Sequence, residues 1–361
     1  MMQPEPWGRP EPWSPQDPPA VSQVVSRSMR MVPPGCPASP VAFLQKTHKV
    51  TRRFLDSAVR AQLQVQGRCG GYHRVLYMVT SEHLLSNSNS SRAQKVEADL
   101  AALQEALGED GVIAIGPQDF SSTFGFEWGK FPLPGNFTWN HCDAPELVWY
   151  DLFRNNLGPD ARHVWVAEYD VGWTGDIASV FASFPERPDF VCSTDWKQDG
   201  IAIGPEWSNF PLRTWLKGDE VKQCFIMLAR YSLRYMQAFL QETRMGHLQF
   251  CEMSGAAICS KHGTWCSIRT FDQYSEVVGR DSRGTSMFRF DTHISRGEWE
   301  KLAAADAAER AKKHGAPAAL PPSGGTAEAT AVDGQRDGGA HGKAQPAGPA
   351  VTGRIYHALK W

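Results

Sequence analysis

Short apolar runs alternate with stretches of helical periodicity along most of this chain. Phe54, Leu55, Val59 and Leu63 recur at helical spacing, and Gly67 and Gly70–Gly71 close that segment. Arg74–Val79 reads as a first buried strand that ends at Thr80-Ser81-Glu82. After a polar loop at Ser86–Ser91, a helix carries Ala93, Val96, Leu100, Leu103 and Leu107 on one face, with Gly108 at its end. Val112–Ile115 is the next short apolar strand. This rhythm predicts an α/β fold: a mainly parallel sheet flanked by helices on both faces.

The pattern continues less regularly. Residues 117–142 read as an irregular segment carrying Phe120, Phe124, Phe126, Trp128, Phe131, Phe137 and Trp139, a hydrophobic loop packed over the sheet. Asp143 is the expected cap of a helix that buries Leu147, Tyr150 and Leu152–Phe153. His163–Ala167 is a buried strand, Thr174–Phe184 a short helix, and Asp189–Cys192 a further strand leading into Ser193, Thr194 and Asp195. Residues 199–216 are loop-like. Asp219–Met245 is expected to be one long helix, with Val221, Phe225, Leu228, Ser232, Tyr235 and Phe239 on one face and Gly246 as its stop.

The ends break the rhythm. Residues 1–40 are rich in proline and polar residues and read as a disordered leader, and 303–350 reads as a low-complexity disordered segment. Between them, 41–302 is a single folded domain. Residues 351–361 recover apolar character and are expected to dock on it.

The chemistry centres on Glu168-Tyr169-Asp170. Side chains alternate along a strand, so a continuation of 163–167 would place Glu168 and Asp170 on one face. Two carboxylates there suit a hard divalent cation. Gly172 and Gly175 let the following backbone turn close to a ligand. Ligands of open α/β sheets bind beyond the carboxyl ends of the strands, so Thr80, Glu168, Asp170 and Asp195 are expected to line one crevice. His247 and Glu252, just past the long helix, form a candidate acid/base pair.

The run Glu168-x-Asp170-Val171-x-Trp173-Thr174-Gly175 resembles the acidic metal-binding element of nucleotide-sugar glycosyltransferases with the GT-A fold. It is similar to the E-x-D-V-x-aromatic-Ser/Thr-Gly form in glycosyltransferase-like proteins of algae and fungi. The resemblance implies a GT-A-like, Rossmann-type sheet and transfer of a sugar from a nucleotide-diphosphate donor to an acceptor hydroxyl. Asp170 and Glu168 would hold Mn²⁺ or Mg²⁺, and Glu252, with His247 as second choice, would act on the acceptor. The ending Ile355-Tyr356-His357-Ala358-Leu359-Lys360 resembles a terminal I/L-Y-H-P-V/L-K element of the same proteins, with Ala358 where they have proline. By that likeness His357 approaches the metal and Lys360 the phosphates. The aromatic 117–142 segment would then be a second candidate, a platform for a sugar ring. The acceptor (glycan, protein or lipid) is left open.

Composition adjusts this picture in three places. The net charge of −2, with acids and bases interspersed, argues against a nucleic-acid partner. No apolar run reaches the ~18 residues of a membrane span and no signal-peptide pattern opens the chain, which leaves a truncated gene, a lumenal fragment or a cytosolic enzyme. The resemblance itself implies the Golgi or secretory lumen. The eight cysteines contain no C-x-x-C pair, so a zinc ribbon is not expected, while Cys251, Cys259 and Cys266 could form disulfides in an oxidising compartment. Two other functions fit parts of the chain: a non-catalytic nucleotide- or sugar-binding protein that keeps the fold, and a metal-dependent hydrolase. The absence of G-x-x-x-x-G-K-S/T and G-x-G-x-x-G removes the main support for NTPases and dinucleotide dehydrogenases.

Overall fold

The computed structural model describes residues 33–79, 91–125, 141–184, 187–192, 224, 226–247, 251–271, 288–289, 294–314 and 354–356. In chain order the elements are β1 (Ala42–Thr47), α1 (Arg52–Ala61), β2 (Tyr72–Met78), α2 (Ser91–Leu107), β3 (Val112–Ile115), α3 (Pro117–Phe124), α4 (Ala144–Phe153), β4 (His163–Glu168) and β5 (Gly172–Thr174). There follow α5 (Ile177–Ala182), β6 (Phe190–Cys192), β7 (Leu228–Ser232), α6 (Leu233–Arg244), α7 (Cys251–Lys261), β8 (Ile268–Thr270), β9 (Phe288–Arg289), α8 (Arg296–His314) and β10 (Arg354–Tyr356). A π-helical stretch, Gln62–Arg68, extends α1.

Seven strands form one sheet in the order β3-β2-β1-β4-β7-β6-β8. All neighbours are parallel except β7, which runs antiparallel to both β4 and β6. The predicted α/β class, a mainly parallel sheet flanked by helices, is the observed one. Leu44, Val164 and Val166 face a core roofed by α4, α6 and α7, while Phe43, Trp165 and Ala167 face a second core with α5 and the π-helical stretch. A separate three-stranded sheet, β5-β10-β9, follows the end of β4.

Four differences from the sequence reading have physical causes. The strand β1 has no apolar run of its own length because half of it is polar: Gln45, Lys46 and Thr47 are buried beside Ala42–Leu44. Residues 117–124 are helical rather than irregular. Pro117 occupies the first turn, where its missing N–H costs nothing, the Asp119 carboxylate accepts from Gly116 N at 2.8 Å, and Gly125 ends the helix at φ 73. The expected helix Asp219–Met245 is divided. Leu228–Ser232 is pulled into the sheet between β4 and β6, and α6 starts only where the Ser232 hydroxyl accepts from Tyr235 N at 3.1 Å. Helix propensity yields there to burial on both faces of a central strand. Finally, α8 runs through the expected boundary at residue 303 as far as His314, and its Asp306 is buried.

All eight cysteines are paired, as Cys36–Cys69, Cys142–Cys251, Cys192–Cys224 and Cys259–Cys266. Among the described residues no helix is long and apolar enough to cross a membrane.

Candidate functional site

The strand order reverses at β1 and β4. From β1 the chain steps outward to β2 and β3, and from β4 the sheet grows in the other direction. Such a reversal opens a crevice at the carboxyl ends of the two strands. Lys46 and Glu168 are register partners there. The crevice is therefore flanked by Thr47–Val50 from β1 and by Glu168-Tyr169-Asp170 from β4.

The triplet is a turn and not a straight strand end. Val171 N returns to the Glu168 carbonyl at 3.1 Å, so the alternation expected through Asp170 stops at Glu168. Asp170 is 5% exposed and Glu168 is half-buried. Cations surround the turn. Arg53, in the first turn of α1, donates from Nη2 to the Tyr169 carbonyl at 2.6 Å. Burial lowers the Arg53 guanidinium from its usual value, with Asp170 and Tyr169 acting in the opposite sense. Lys49 Nζ lies 4.5 Å from the centre of the Tyr169 ring, and the His48 ring meets that ring edge-on at 5.0 Å. Burial, Asp170 and Glu168 together raise the Tyr169 phenol.

The loop that supplies His48 and Lys49 is pinned. Thr47 Oγ1 accepts from Lys49 N at 3.1 Å and donates to the Lys49 carbonyl. Asp99 on α2 accepts from Val50 N at 3.3 Å and from the Tyr77 hydroxyl at 3.1 Å, and pairs with Lys95. Thr51 caps α1 by accepting from Phe54 N, yet the first turn that follows holds Arg52 and Arg53 and no acid. Cations at a helix N-terminus oppose the helix dipole, an arrangement that favours an anion nearby.

Behind the crevice lies an ionic cluster that sequence reasoning missed. Lys46, 2% exposed, reaches Glu146 Oε1 at 3.2 Å and the Cys142 carbonyl, and the Tyr231 hydroxyl stands 3.5 Å from Glu146. Asp143 begins α4 without capping it; its carboxyl bonds to Ser254 instead. Burial, helped by Glu146, pushes that carboxyl up to about 8. Burial raises Glu146 as well, with Lys46 opposing. The available signal was a lysine in the buried run Val41–Thr47 and a glutamate next to the apolar stretch Leu147–Tyr150.

The remaining predicted residues fall apart into two groups. Thr80, Asp195, His357 and Lys360 lie outside the described residues. Glu252 is in the first turn of α7, beside the Cys142–Cys251 disulfide, and its carbonyl accepts from Cys224 N at 2.7 Å. His247 sits at the other end of that helix. Its Nδ1 is 2.5 Å from Glu242 Oε2 and 3.3 Å from Lys261 Nζ. Glu242 also holds Lys261 at 2.6 Å and His262 at 2.7 Å. Burial pushes Glu242 up, but hydrogen bonds from His262, Lys261 and His247 hold it down at about 2. Nine helical positions separate Glu252 from Lys261, about 14 Å of rise at 1.5 Å per residue, so Glu252 starts α7 while His247 contacts the residue that ends it.

The two carboxylates of the turn offer hard oxygen ligands, and Mg²⁺-type sites often use one or two carboxylates together with substrate phosphates. Asp170 and Glu168 fit that requirement. Among the described residues no group of three or more His, Cys, Asp or Glu is arranged to hold a metal ion.

No protein-family model and no curated protein matches the sequence. Among solved structures the chain is similar to 4-diphosphocytidyl-2C-methyl-D-erythritol synthase from Anaerococcus prevotii, with 7% identity over 64% of this chain and 86% of that one and a TM-score of 0.34. It is also similar to the mannosyltransferase Ktr4p from S. cerevisiae, with 12% identity over 66% and 69% and a TM-score of 0.32. A third is the galactosyltransferase LgtC in complex with donor and acceptor sugar analogs, with 12% identity over 73% and 78% and a TM-score of 0.32. The class of the fold rests on the strand order itself: a Rossmann-type α/β sheet.

Proposed function

We propose that this chain is a metal-dependent glycosyltransferase that moves a sugar from a nucleotide-diphosphate donor to an acceptor hydroxyl. The observation that carries the reading is the position of the Glu168-x-Asp170-Val171 motif. It falls at the reversal point of the sheet, where Arg53, Lys49 and His48 face the same turn. A crevice with two acids and several bases suits a metal-bound, multiply charged anion better than a neutral ligand.

In this reading Asp170 and Glu168 hold Mn²⁺ or Mg²⁺, which when bound neutralises charge on a leaving diphosphate. Lys49 and Arg53 attract the diphosphate and orient it. Thr80 and Asp195 are assigned to the donor. By the motif resemblance His357 and Lys360 would serve the metal and the phosphates; the register that sets Tyr356 opposite Gly172, two residues after Asp170, supports this. The acceptor oxygen attacks the anomeric carbon and the bond to the diphosphate oxygen breaks; if Glu252 takes the hydroxyl proton in one direct displacement the configuration inverts, and the anomer of the product distinguishes this from retention. His247, tied to Glu242, is not assigned a part in that step. The four disulfides support a lumenal or secreted setting, since such bonds persist in oxidising compartments.

A thermal-shift screen against UDP, GDP and their sugars, with and without Mn²⁺, tests this. A ligand at about 100 times its Kd stabilises a fold by about 2.7 kcal/mol. A shift that needs both metal and one nucleotide, and is lost in Asp170→Ala, supports the transferase site. Nucleotide binding without sugar transfer to any acceptor favours the non-catalytic binding protein.

A further inference from the structure

The turn that carries Asp170 runs straight into β5, and β5 is gripped from two sides. On one side, Arg60 donates to the Trp173 carbonyl at 2.6 Å and stacks 4.8 Å from the centre of its ring. Gln64 accepts from Trp173 Nε1 at 3.2 Å and from Ile177 N at 3.0 Å, and donates to the Gly175 carbonyl at 3.0 Å.

On the other side stands Asp306 of α8. Its Oδ2 accepts from the Thr174 hydroxyl at 2.8 Å and from the Tyr356 hydroxyl at 2.6 Å, and its Oδ1 pairs with Arg354 Nη1. Arg354 also reaches Glu309 at 2.8 Å, and its backbone N donates to Thr174 Oγ1 at 3.2 Å. Asp306 is only 4% exposed. One carboxylate thus bonds β5, two residues of β10 and, through its own backbone, α8.

Two features make this arrangement matter beyond the core. First, β5 and β10 belong to the three-stranded sheet and not to the seven-stranded one, so their pairing can open while the main sheet stays intact. Second, the register places Arg354 opposite Thr174 and Tyr356 opposite Gly172, which brings the bonded strand to within two residues of Asp170. Removing the carboxylate takes the acceptor from the Thr174 and Tyr356 hydroxyls in a buried place and one anionic partner from Arg354, which keeps Glu309, and this favours separation of the two strands.

We propose that Asp306 is a positioning residue for the Asp170 turn: it seats the C-terminal strand against β5, and the affinity of the site for metal and nucleotide depends on that seating. The role rests on the proposed function for what the turn binds. The docking of the strand does not.

The test compares the full chain with Asp306→Asn, which keeps volume and loses charge, and with Tyr356→Phe, which removes one donor and is the gentler change. Three quantities are measured: hydrogen exchange at Gly172–Thr174, Arg354–Tyr356, β1 and β4; binding of Mn²⁺ alone and with UDP or GDP, read from the Mn²⁺ paramagnetic signal; and the melting transition. The expected result is faster exchange in β5 and β10 together, unchanged exchange in β1 and β4, and a loss of about tenfold to a hundredfold in Mn²⁺-nucleotide affinity for Asp306→Asn. Tyr356→Phe should move the same quantities less. Faster exchange with unchanged affinity overturns the proposal, as does unchanged exchange in both variants. An unmodified chain that binds neither Mn²⁺ nor nucleotide overturns the transferase reading and the positioning role with it, while the exchange data still report whether Asp306 seats the strand.

Discussion

Arg53 Nη2 and the backbone carbonyl of Tyr169 meet at 2.6 Å, so the first turn of α1 grips the centre of the acidic triplet. The same guanidinium interacts with Asp170. Arg53→Met therefore removes a charged hydrogen bond from a partly buried carbonyl and a counter-charge from the crevice. A charged hydrogen bond contributes about 1.5–3 kcal/mol, and a urea-unfolding loss in that range is expected. Nucleotide affinity should fall as well. Arg53→Lys keeps the charge without the planar fork and should retain more of the affinity than of the stability.

Lys46 makes a sharper case, because both it and Glu146 are shut away from water. Lys46→Met leaves the Glu146 carboxylate buried without its cation, and breaking such a pair costs about 3–5 kcal/mol. The double variant Lys46→Met/Glu146→Leu removes both charges and should recover most of that loss. Urea midpoints of the two single variants and the double measure the coupling. A double variant no more stable than Lys46→Met alone would mean the pair does something other than cancel charge.

These two residues also mark where sequence reasoning stopped. The sheet-and-helix rhythm was legible because β2, β3, β4 and β6 carry apolar runs of ordinary length, and the Glu168–Gly175 motif marked the end of β4 by its acids, although the turn falls at Glu168–Val171 and Gly172 lies in β5. Lys46 hid β1, since a polar residue on an interior strand reads as a strand end. Leu228–Ser232 was hidden differently. Its apolar positions suit either a helix face or a two-sided strand, and only the neighbouring β4 and β6 decide between them. The attachment of His247 to Glu242 depends on Glu242, Lys261 and His262 meeting across α6 and α7. No local spacing encodes that.

The disulfides rank by the length of chain they close. Cys142–Cys251 spans 109 positions and Cys259–Cys266 only 7. In the chain-entropy account these correspond to about 5 and about 2 kcal/mol of restraint on the unfolded chain. Replacing Cys142 and Cys251 together by serine should thus destabilise the protein more than the same change at Cys259 and Cys266. The first change should also free the start of α7, where Glu252 sits, and lower any transferase activity by more than its effect on melting explains. Guanidinium unfolding of the two double variants, with activity measured well below their melting points, checks both statements.

The dependence of stability on pH follows from two carboxyls shifted in opposite directions. Asp143 is raised to about 8 in the folded protein, so between the ordinary carboxylate range and that value the native state holds a proton that the unfolded chain has released. Stability from this group is therefore full at low pH and is lost as pH rises towards 8. Glu242, held at about 2, works the other way: its contribution is present above the ordinary carboxylate range and is lost as pH falls towards 2. The two together predict a maximum in mildly acidic solution and a decline on its alkaline side. Asp143→Asn keeps the hydrogen-bonding shape of a neutral carboxyl and cannot ionise. It should flatten the alkaline decline, whose limiting slope is about 1.4 kcal/mol per pH unit for one proton, and leave the acidic side unchanged. Urea midpoints of the two proteins across the range decide it. An undiminished alkaline slope in Asp143→Asn would assign the decline to Glu146, which burial raises in the same direction.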